Sequence, residues 1–228
     1  MPCIAKKAEA KRPEMEVDGV RDVDVVITTR ELARLIKLHE INFQGLEDAK
    51  LDSQMAQYTG AGVIFGATGG VMEAALRTAA EKLGAKDAPI DFVEVRGLDG
   101  VKEATYNVNG VDVKVAVVNG ITNAKIILDK VRAGTADYHF VEVMTCPGGC
   151  VNGGGQPING DYNNDRANII KLRTSVLYGG DKAMKVRKSH DNKSVLAIYA
   201  EHLGEPNSHL AHKLLHTHYT ARPKYTKE

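Results

Sequence analysis

Cysteine is scarce in this sequence of 228 residues, which contains only Cys3, Cys146 and Cys150. An odd number this small excludes the disulfide framework on which small secreted proteins depend. In a reducing compartment, such thiols are more often metal ligands or catalytic groups than structural bridges. The three cysteines are therefore the first candidates for chemistry.

The sequence also has neither an excess of charge of one sign nor a long apolar run. The formal net charge is +1, so neither nucleic acid nor an anionic membrane is expected as a partner. No apolar run approaches the roughly 18–20 residues of a membrane span, and residues 1–6 have no apolar signal region. A cytoplasmic location is therefore expected, unless a preceding region carries a targeting signal. The hydrophobic fraction of 43% and the charged fraction of 26% are typical of a globular protein.

The residue patterns predict an α/β fold, with a mixed or parallel sheet flanked by helices and followed by a helical C-terminal tail. Asn109-Gly110 between two apolar runs indicates a type I′ hairpin, and the helix and strand that follow suggest a βαβ crossover. Thr28 and Thr29 precede an amphipathic helix. Residues 60–70 contain too much glycine for a regular element, so their backbone must approach another group closely. The predicted strands are 92–97, 104–108, 111–118 and 138–144, and the other predicted helices are 71–77, 121–131, 167–178, 182–188, 194–203 and 208–216.

The most informative segment is residues 142–157, EVMTCPGGCVNGGGQP, which begins in a predicted strand. Its two cysteines are separated by three residues, two of them glycine, so the backbone can fold tightly and aim both sulfurs at one point. Glycine also frees backbone N–H groups to bind inorganic sulfide, which tunes the potential of an iron–sulfur cluster. Ordinary buried cysteines beside a turn are the alternative, and the entropic cost of so many glycines argues against it. Such a cluster usually has four cysteine ligands, one more than this sequence contains.

A second cysteine motif lies at residues 1–9, MPCIAKKAE, and alone it is no stronger than an incidental thiol near a terminus. Together, the two segments resemble the catalytic domain of iron-only (FeFe) hydrogenases, whose signature includes MPCxxKxxE and ExMxCxxGCxxGGGQP. Residues 59–77, TGAGVIFGATGGVMEAALR, match a third pattern of that family with Thr59 in place of serine. Residues 188–192 and 215–219 are similar to the family's small-subunit region, so the resemblance covers the chain from end to end.

The resemblance implies an H-cluster, in which a 4Fe–4S cubane is joined through a cysteine sulfur to a two-iron unit with CO, CN and dithiolate ligands. Cys3 and Cys146 would be ligands of the cubane, and Cys150 would be both a ligand and the bridge. Lys6 would donate to a cyanide ligand, as a cation beside an anion. The other residues implied at the site are Met1, Met144 and Phe65 as its apolar walls, Pro2 and Gly66 as backbone lining, and Glu9 as a salt-bridge partner behind it.

The implied activity is the reversible reduction of protons to H2, with electrons from ferredoxin or from an NAD(P)-linked subunit. The expected organisation is the C-terminal part of the H-cluster domain over residues 1–157 and a helical, small-subunit-like region over residues 158–228. The family's upstream motif TSCxPxW, which supplies the fourth cubane ligand, is absent from this sequence. We therefore expect a partial sequence or an internal start, and a chain that is incomplete and inactive on its own.

Other interpretations remain open at this point. A non-catalytic iron–sulfur assembly protein of the same superfamily would not need Met1, Lys6 or Met144, whose implied roles concern the two-iron unit alone. A sensory hydrogenase homologue would retain all of them. The histidines at 209, 212 and 216 have a helical spacing that fits zinc, although a histidine-rich polar face packed on the α/β block is favoured. Residues 66–70 precede a helix as an anion-binding turn does, but they match no nucleotide-binding fingerprint.

Overall fold

The computed structural model describes residues 2–52, 57–85, 88–158 and 163–221. Its central element is a mixed sheet of three strands in the order β3-β4-β5, with β3 antiparallel and β5 parallel to β4. The strands are β1 (Glu16–Val17), β2 (Val20–Arg21), β3 (Val101–Val108), β4 (Val111–Asn119) and β5 (Phe140–Met144). The helices are α1 (Lys6–Glu9), α2 (Thr29–Leu38), α3 (Gly60–Ile64), α4 (Gly70–Lys82), α5 (Ile121–Arg132), α6 (Arg166–Ala183), α7 (Lys193–Ile198) and α8 (His209–Leu215).

Both faces of the sheet are covered by helices. Met72 and Leu76 of α4 pack against Val115 and Val117 on one face. Alternate residues of β4 point to opposite faces, so Ala116 and Val118 meet Ala124 and Ile127 of α5 on the other face. The helix α5 is the crossover that joins the parallel strands β4 and β5. The predicted α/β fold with a mixed sheet, flanking helices and a helical C-terminal tail is confirmed.

Local signals in the sequence correspond to the observed turns and helix starts. Asn109 and Gly110 have φ angles of 51° and 84°, as the predicted type I′ turn between β3 and β4 requires. The Thr28 side chain accepts the backbone N–H of Glu31, and the Glu31 carboxylate accepts the backbone N–H of Thr28. This reciprocal capping box begins α2, as the two threonines predicted.

The predicted strand at residues 92–97 is wrong, because the chain forms a 3₁₀ turn over Val93–Val95. Phe92 and Val95 are buried whereas Val93 is exposed. Burial three residues apart follows the period of a turn and not the alternation of a strand. The apolar composition alone could not separate the two.

Two further expectations need correction. Residues 184–188 are not helical, because α6 ends at Ala183 and the chain continues extended from Met184. There the carbonyls of Val186 and Arg187 accept the backbone N–H groups of Gly60 and Ala61 at the start of α3. Residues 60–64 form that short helix, although their glycine content had predicted irregular structure.

No helix within the described ranges is both long and apolar enough to cross a membrane.

Candidate metal centre

The first cysteine segment lies directly on the glycine run of the second. The carbonyl of Pro2 accepts the backbone N–H of Gly155 at 2.8 Å. A Cβ atom at Gly153 would lie 2.2 Å from the same carbonyl oxygen, so only glycine allows this approach. Arg30 holds the run from the other side, since its side chain donates to the carbonyl of Gly154 at 2.8 Å. These contacts bring the chain around Cys3 to the Cys146–Cys150 loop.

The Cys146–Cys150 loop packs against the glycine-rich turn that precedes α4. The backbone N–H of Val151 donates to the carbonyl of Gly66 at 2.9 Å, and that of Thr68 donates to Gly148 at 3.1 Å. Gly149 has a φ of +97°, and a Cβ atom there would lie 2.6 Å from the nitrogen of Thr68. The close backbone approach expected from residues 60–70 is therefore observed, with the cysteine loop as the group approached.

The three thiols interact with one another electrostatically. All three cysteines are free and partly buried. Burial raises the pKa of Cys146, and the neighbouring Cys3 thiol raises it further. Burial also raises the pKa of Cys150, followed by the charges of Cys146 and Cys3. Sulfurs from two distant segments therefore lie close enough to act on one another electrostatically.

A positive charge lies beside this group of sulfurs. Lys6 is in α1 and forms an ion pair with Glu9, one turn further along the same helix. The hydrogen bond to Glu9 raises the pKa of Lys6, and the nearby Cys3 and Cys150 add to this effect. Lys6 in turn favours the thiolate of Cys150. The structure brings together a cation, its carboxylate partner and the cysteines.

The apolar residues expected at the site differ in their exposure. Met144 is partly buried at the end of β5, and its carbonyl accepts the backbone N–H of Gly120 at 2.7 Å. Phe65 is 44% exposed and directly precedes Gly66. Met1 lies outside the described residues. The structure therefore places Met144 and Phe65 on the two segments that form the cysteine loop and the glycine turn.

Three contacts around the site were missed by the sequence reasoning. Glu142 is buried, and its carboxylate accepts the backbone N–H groups of Gly69 and Met72 at 2.7 Å each. Arg173 of α6 donates to the carbonyl of Val151 at 3.0 Å. Arg77 forms a buried ion pair with Asp181. Arg77 lies in the glycine-rich segment 59–77 and Glu142 in the cysteine segment 142–157. Because charged residues among so many apolar neighbours are buried only when paired, the sequence could have indicated that both have buried partners.

The alternative metal sites find little support. The side chains of His209, His212 and His216 are exposed, so the expectation that they pack on the α/β block is wrong. Among the described residues, three metal-binding side chains approach within 4.8 Å of one another only at Glu81, His190 and Asp191. The ammonium group of Lys188 already forms an ion pair with Glu81 there.

A family model described as "Iron only hydrogenase large subunit, C-terminal domain" matches residues 1–154. The chain belongs to the iron-only hydrogenase family. A second model, "Iron hydrogenase small subunit", matches residues 167–222. The resemblance identified from the cysteine motifs is therefore confirmed, including its extension into the C-terminal helices.

Relatives and solved structures agree with this membership. "Iron hydrogenase 1" from Clostridium pasteurianum is 49% identical over 96% of this chain and 38% of its own length. "NADP-reducing hydrogenase subunit HndD" from Solidesulfovibrio fructosivorans is 48% identical over 98% of this chain and 38% of its own length. A solved structure of the FeFe-hydrogenase HydA1 from Chlamydomonas reinhardtii has a TM-score of 0.75 and 41% identity, covering 97% of this chain and 62% of that one.

Assembly proteins are also related to this iron-only hydrogenase chain, at lower identity. "Cytosolic iron-sulfur assembly component 3" from Mus musculus is 34% identical over 98% of this chain and 47% of its own length. The chain therefore spans less than half the length of each of these curated relatives.

Proposed function

We propose that Cys3, Cys146 and Cys150 are ligands of a 4Fe–4S cubane in the C-terminal part of an iron-only hydrogenase. The observation that carries this proposal is the packing of the Cys3 segment on the glycine run that follows Cys150, where Pro2 accepts the backbone N–H of Gly155, with Lys6 beside the sulfurs. Thiolates held close together are stabilised when a metal cluster replaces their protons. Cysteine thiolate is also the ligand that iron–sulfur clusters require.

The fit of the residues to such a cluster rests on the backbone around it. Gly149 and Gly153 leave no room for a side chain, so the loop folds tightly enough to present its cysteines from one side. With three cysteines in the sequence, we infer that the fourth cubane ligand comes from a part of the hydrogenase domain that these 228 residues do not include. The relatives are long enough to contain such a part, since this chain spans 38% of their length.

We assign the remaining residues of the site by the same reasoning. Cys150 would also bridge to a two-iron unit with CO, CN and dithiolate ligands. When bound, that unit supplies the interconversion of protons, electrons and H2. Lys6 would donate to an anionic cyanide ligand, with Glu9 holding its ammonium group in position. Met144, Phe65 and, outside the described residues, Met1 would keep water from the site, and Pro2 and Gly66 would line it through their backbone.

Anaerobic reconstitution of the chain with iron, sulfide and excess β-mercaptoethanol tests the ligand assignment. The small thiolate would take the place of the fourth cysteine. We expect the absorption and Mössbauer spectra of a 4Fe–4S cluster, and loss of at least half the bound iron in each of Cys3→Ser, Cys146→Ser and Cys150→Ser. Full iron uptake by any of these variants would contradict the assignment. We expect no hydrogen evolution from the chain alone, even after exposure to the maturation enzymes.

A second candidate is an iron–sulfur assembly protein, because such a protein is 34% identical over 98% of the chain. Lys6 and Met144 favour the hydrogenase, since their proposed roles concern the two-iron unit alone. Infrared spectroscopy of the chain joined to the rest of its domain and matured in a cell separates the two. Bands from iron-bound CO and cyanide support the hydrogenase, and their absence beside an intact cubane supports the assembly protein.

Lys6→Met tests the assignment of Lys6 in the same matured protein, with Lys7→Met as its matched control. Both lysines lie in α1, but Lys7 pairs with Glu31 of α2. We expect the cyanide bands to shift only in Lys6→Met, because only that change removes a donor to cyanide.

We propose ferredoxin or an NAD(P)-linked subunit as the electron partner and the cytoplasm as the location.

A further inference from the structure

The residue that connects the parts of this site is Glu142, which lies in β5 four positions before Cys146. Its side chain is 5% exposed. Its two carboxylate oxygens accept the backbone N–H groups of Gly69 and Met72, each at 2.7 Å. These N–H groups belong to the N-cap and the first turn of α4, where unpaired donors and the helix dipole favour a negative charge.

This contact completes a set of hydrogen bonds that joins β5, the start of α4 and the Cys146–Cys150 loop. Glu142 joins β5 to the start of α4, directly after the turn formed by residues 66–69. The same turn binds the loop through Gly66 to Val151 and through Thr68 to Gly148. The position of the cysteine loop therefore depends on Glu142 from one end and on the glycine turn from the other.

A lysine on the same face of the sheet opposes the charge of Glu142. Val117 is paired with Lys102 in β3 and with Glu142 in β5, so the three residues form one row across the sheet. Directly paired residues project to the same face, and Val117 between the two charges is fully buried. Lys102 is partly buried, and its ammonium group donates to the carbonyl of Val95 at 3.2 Å.

Glu142 also lies close in the fold to the proposed cluster. It precedes Cys146 by four residues, and its carboxylate is bound in the same hydrogen-bonded unit that holds the Cys146–Cys150 loop. An electron added to a cluster held by that loop carries negative charge, so a buried carboxylate beside it disfavours reduction.

We propose that Glu142 is a positioning residue that holds the cysteine loop against the glycine turn and, opposed by Lys102, lowers the reduction potential of the cluster at Cys150. This inference rests on the proposed function and deepens it. A buried charge that is not fully neutralised acts on a cluster through the low-dielectric interior. Removal of Glu142 and removal of Lys102 must therefore move the potential in opposite directions.

Redox titration of the reconstituted chain, monitored by electron paramagnetic resonance, tests the electrostatic part. At a fixed potential, we expect Glu142→Gln to raise the ratio of reduced to oxidised cubane severalfold and Lys102→Met to lower it severalfold. Glu201→Gln and Lys125→Met change the same residue types at exposed positions, and they should leave the ratio unchanged. Shifts of the same sign, or no shift in a cluster that is fully assembled, would overturn the inference, since a purely structural role predicts no opposite signs.

Hydrogen exchange in the chain without iron tests the positioning part and needs no cluster. We expect Glu142→Gln to speed exchange of the amides of Gly69, Met72 and Val151 at least tenfold, with no change in Glu201→Gln. A Gln side chain offers one acceptor oxygen where the carboxylate offers two. Unchanged exchange at all three amides would refute the positioning role. Failure of the parent chain to bind a cubane would instead contradict the proposed function, and exchange would still decide the role of Glu142.

Discussion

The guanidinium group of Arg77 donates to both carboxylate oxygens of Asp181, at 2.9 Å each, and neither side chain is exposed to solvent. This pair joins α4, in the region that matches the large subunit, to α6, in the region that matches the small subunit. It belongs to a network of three cations and three carboxylates, formed by Arg77, Arg96, Arg187, Glu73, Asp91 and Asp181. Equal numbers of opposite charges allow Arg77, Glu73 and Asp181 at its centre to be fully buried.

Removal of one partner of the buried pair should destabilise the whole chain. Asp181→Asn removes the carboxylate shared by Arg77 and Arg187 and leaves the network with an excess buried positive charge, so we expect a loss of about 3–5 kcal/mol in the free energy of unfolding. Asp129→Asn is the matched control, because Asp129 pairs with Lys125 on the exposed side of α5 and should change stability little. Urea unfolding followed by circular dichroism measures both. Equal effects of the two variants would contradict the assigned importance of the network.

The cysteine loop should be intolerant of a methyl group at Gly149. This residue combines a φ of +97° with a ψ of −167°, a region open only to glycine, and an added Cβ would lie 2.6 Å from the Thr68 nitrogen. We expect Gly149→Ala to cost about 3 kcal/mol or more, from backbone strain and overpacking together. Gly110→Ala is the control, since Gly110 also has a positive φ but has no neighbour within 4 Å. A cost of about 1–2 kcal/mol is expected there, and an equal cost at Gly149 would show that the close approach is unimportant.

Local features of the fold could be predicted from the sequence, whereas long-range ones could not. Asn109-Gly110 specifies its turn through the conformations of two adjacent residues. Arg77 and Asp181 are 104 residues apart, and neither spacing nor composition indicates that they meet. The convergence of Cys3 with the second cysteine loop was inferred from family resemblance for the same reason. The strand expected at Phe92 was wrong because a short apolar run fits a strand and a turn equally well.

The capping box of α2 should give the chain a measurable acid sensitivity. The backbone N–H of Thr28, followed by Lys7, lowers the pKa of Glu31 from 4.5 to about 2. Because the folded state has the lower pKa, the carboxylate stabilises the fold fully above about pH 4.5 and loses this effect as the pH falls towards 2. We expect the difference in melting temperature between the parent chain and Glu31→Gln to shrink over that range. Glu47→Gln, at an exposed loop position, should show no such convergence, and a constant difference for Glu31→Gln would contradict the assignment.

The small-subunit-like helix α6 should stabilise the cysteine loop through Arg173. Its guanidinium group donates to the carbonyl of Val151 at 3.0 Å and to that of Pro157 at 2.6 Å, so one side chain spans both ends of the glycine run. Arg173→Gln cannot make both contacts, because its amide lacks the forked donors of guanidinium. We expect faster amide exchange at Gly153 and Gly155 and at least a twofold loss of iron from the reconstituted chain.

Lys171→Gln is the control for that substitution, since Lys171 lies on the exposed side of the same helix. It removes one positive charge from α6, as Arg173→Gln does, but it does not touch the loop. Iron content and exchange rates equal to those of the parent chain are expected. If both variants lose iron to the same extent, the net charge of α6 is responsible and the two carbonyl contacts are not. If neither does, the loop keeps its shape without α6, and the hydrogen bonds of Gly66 and Thr68 suffice to hold it.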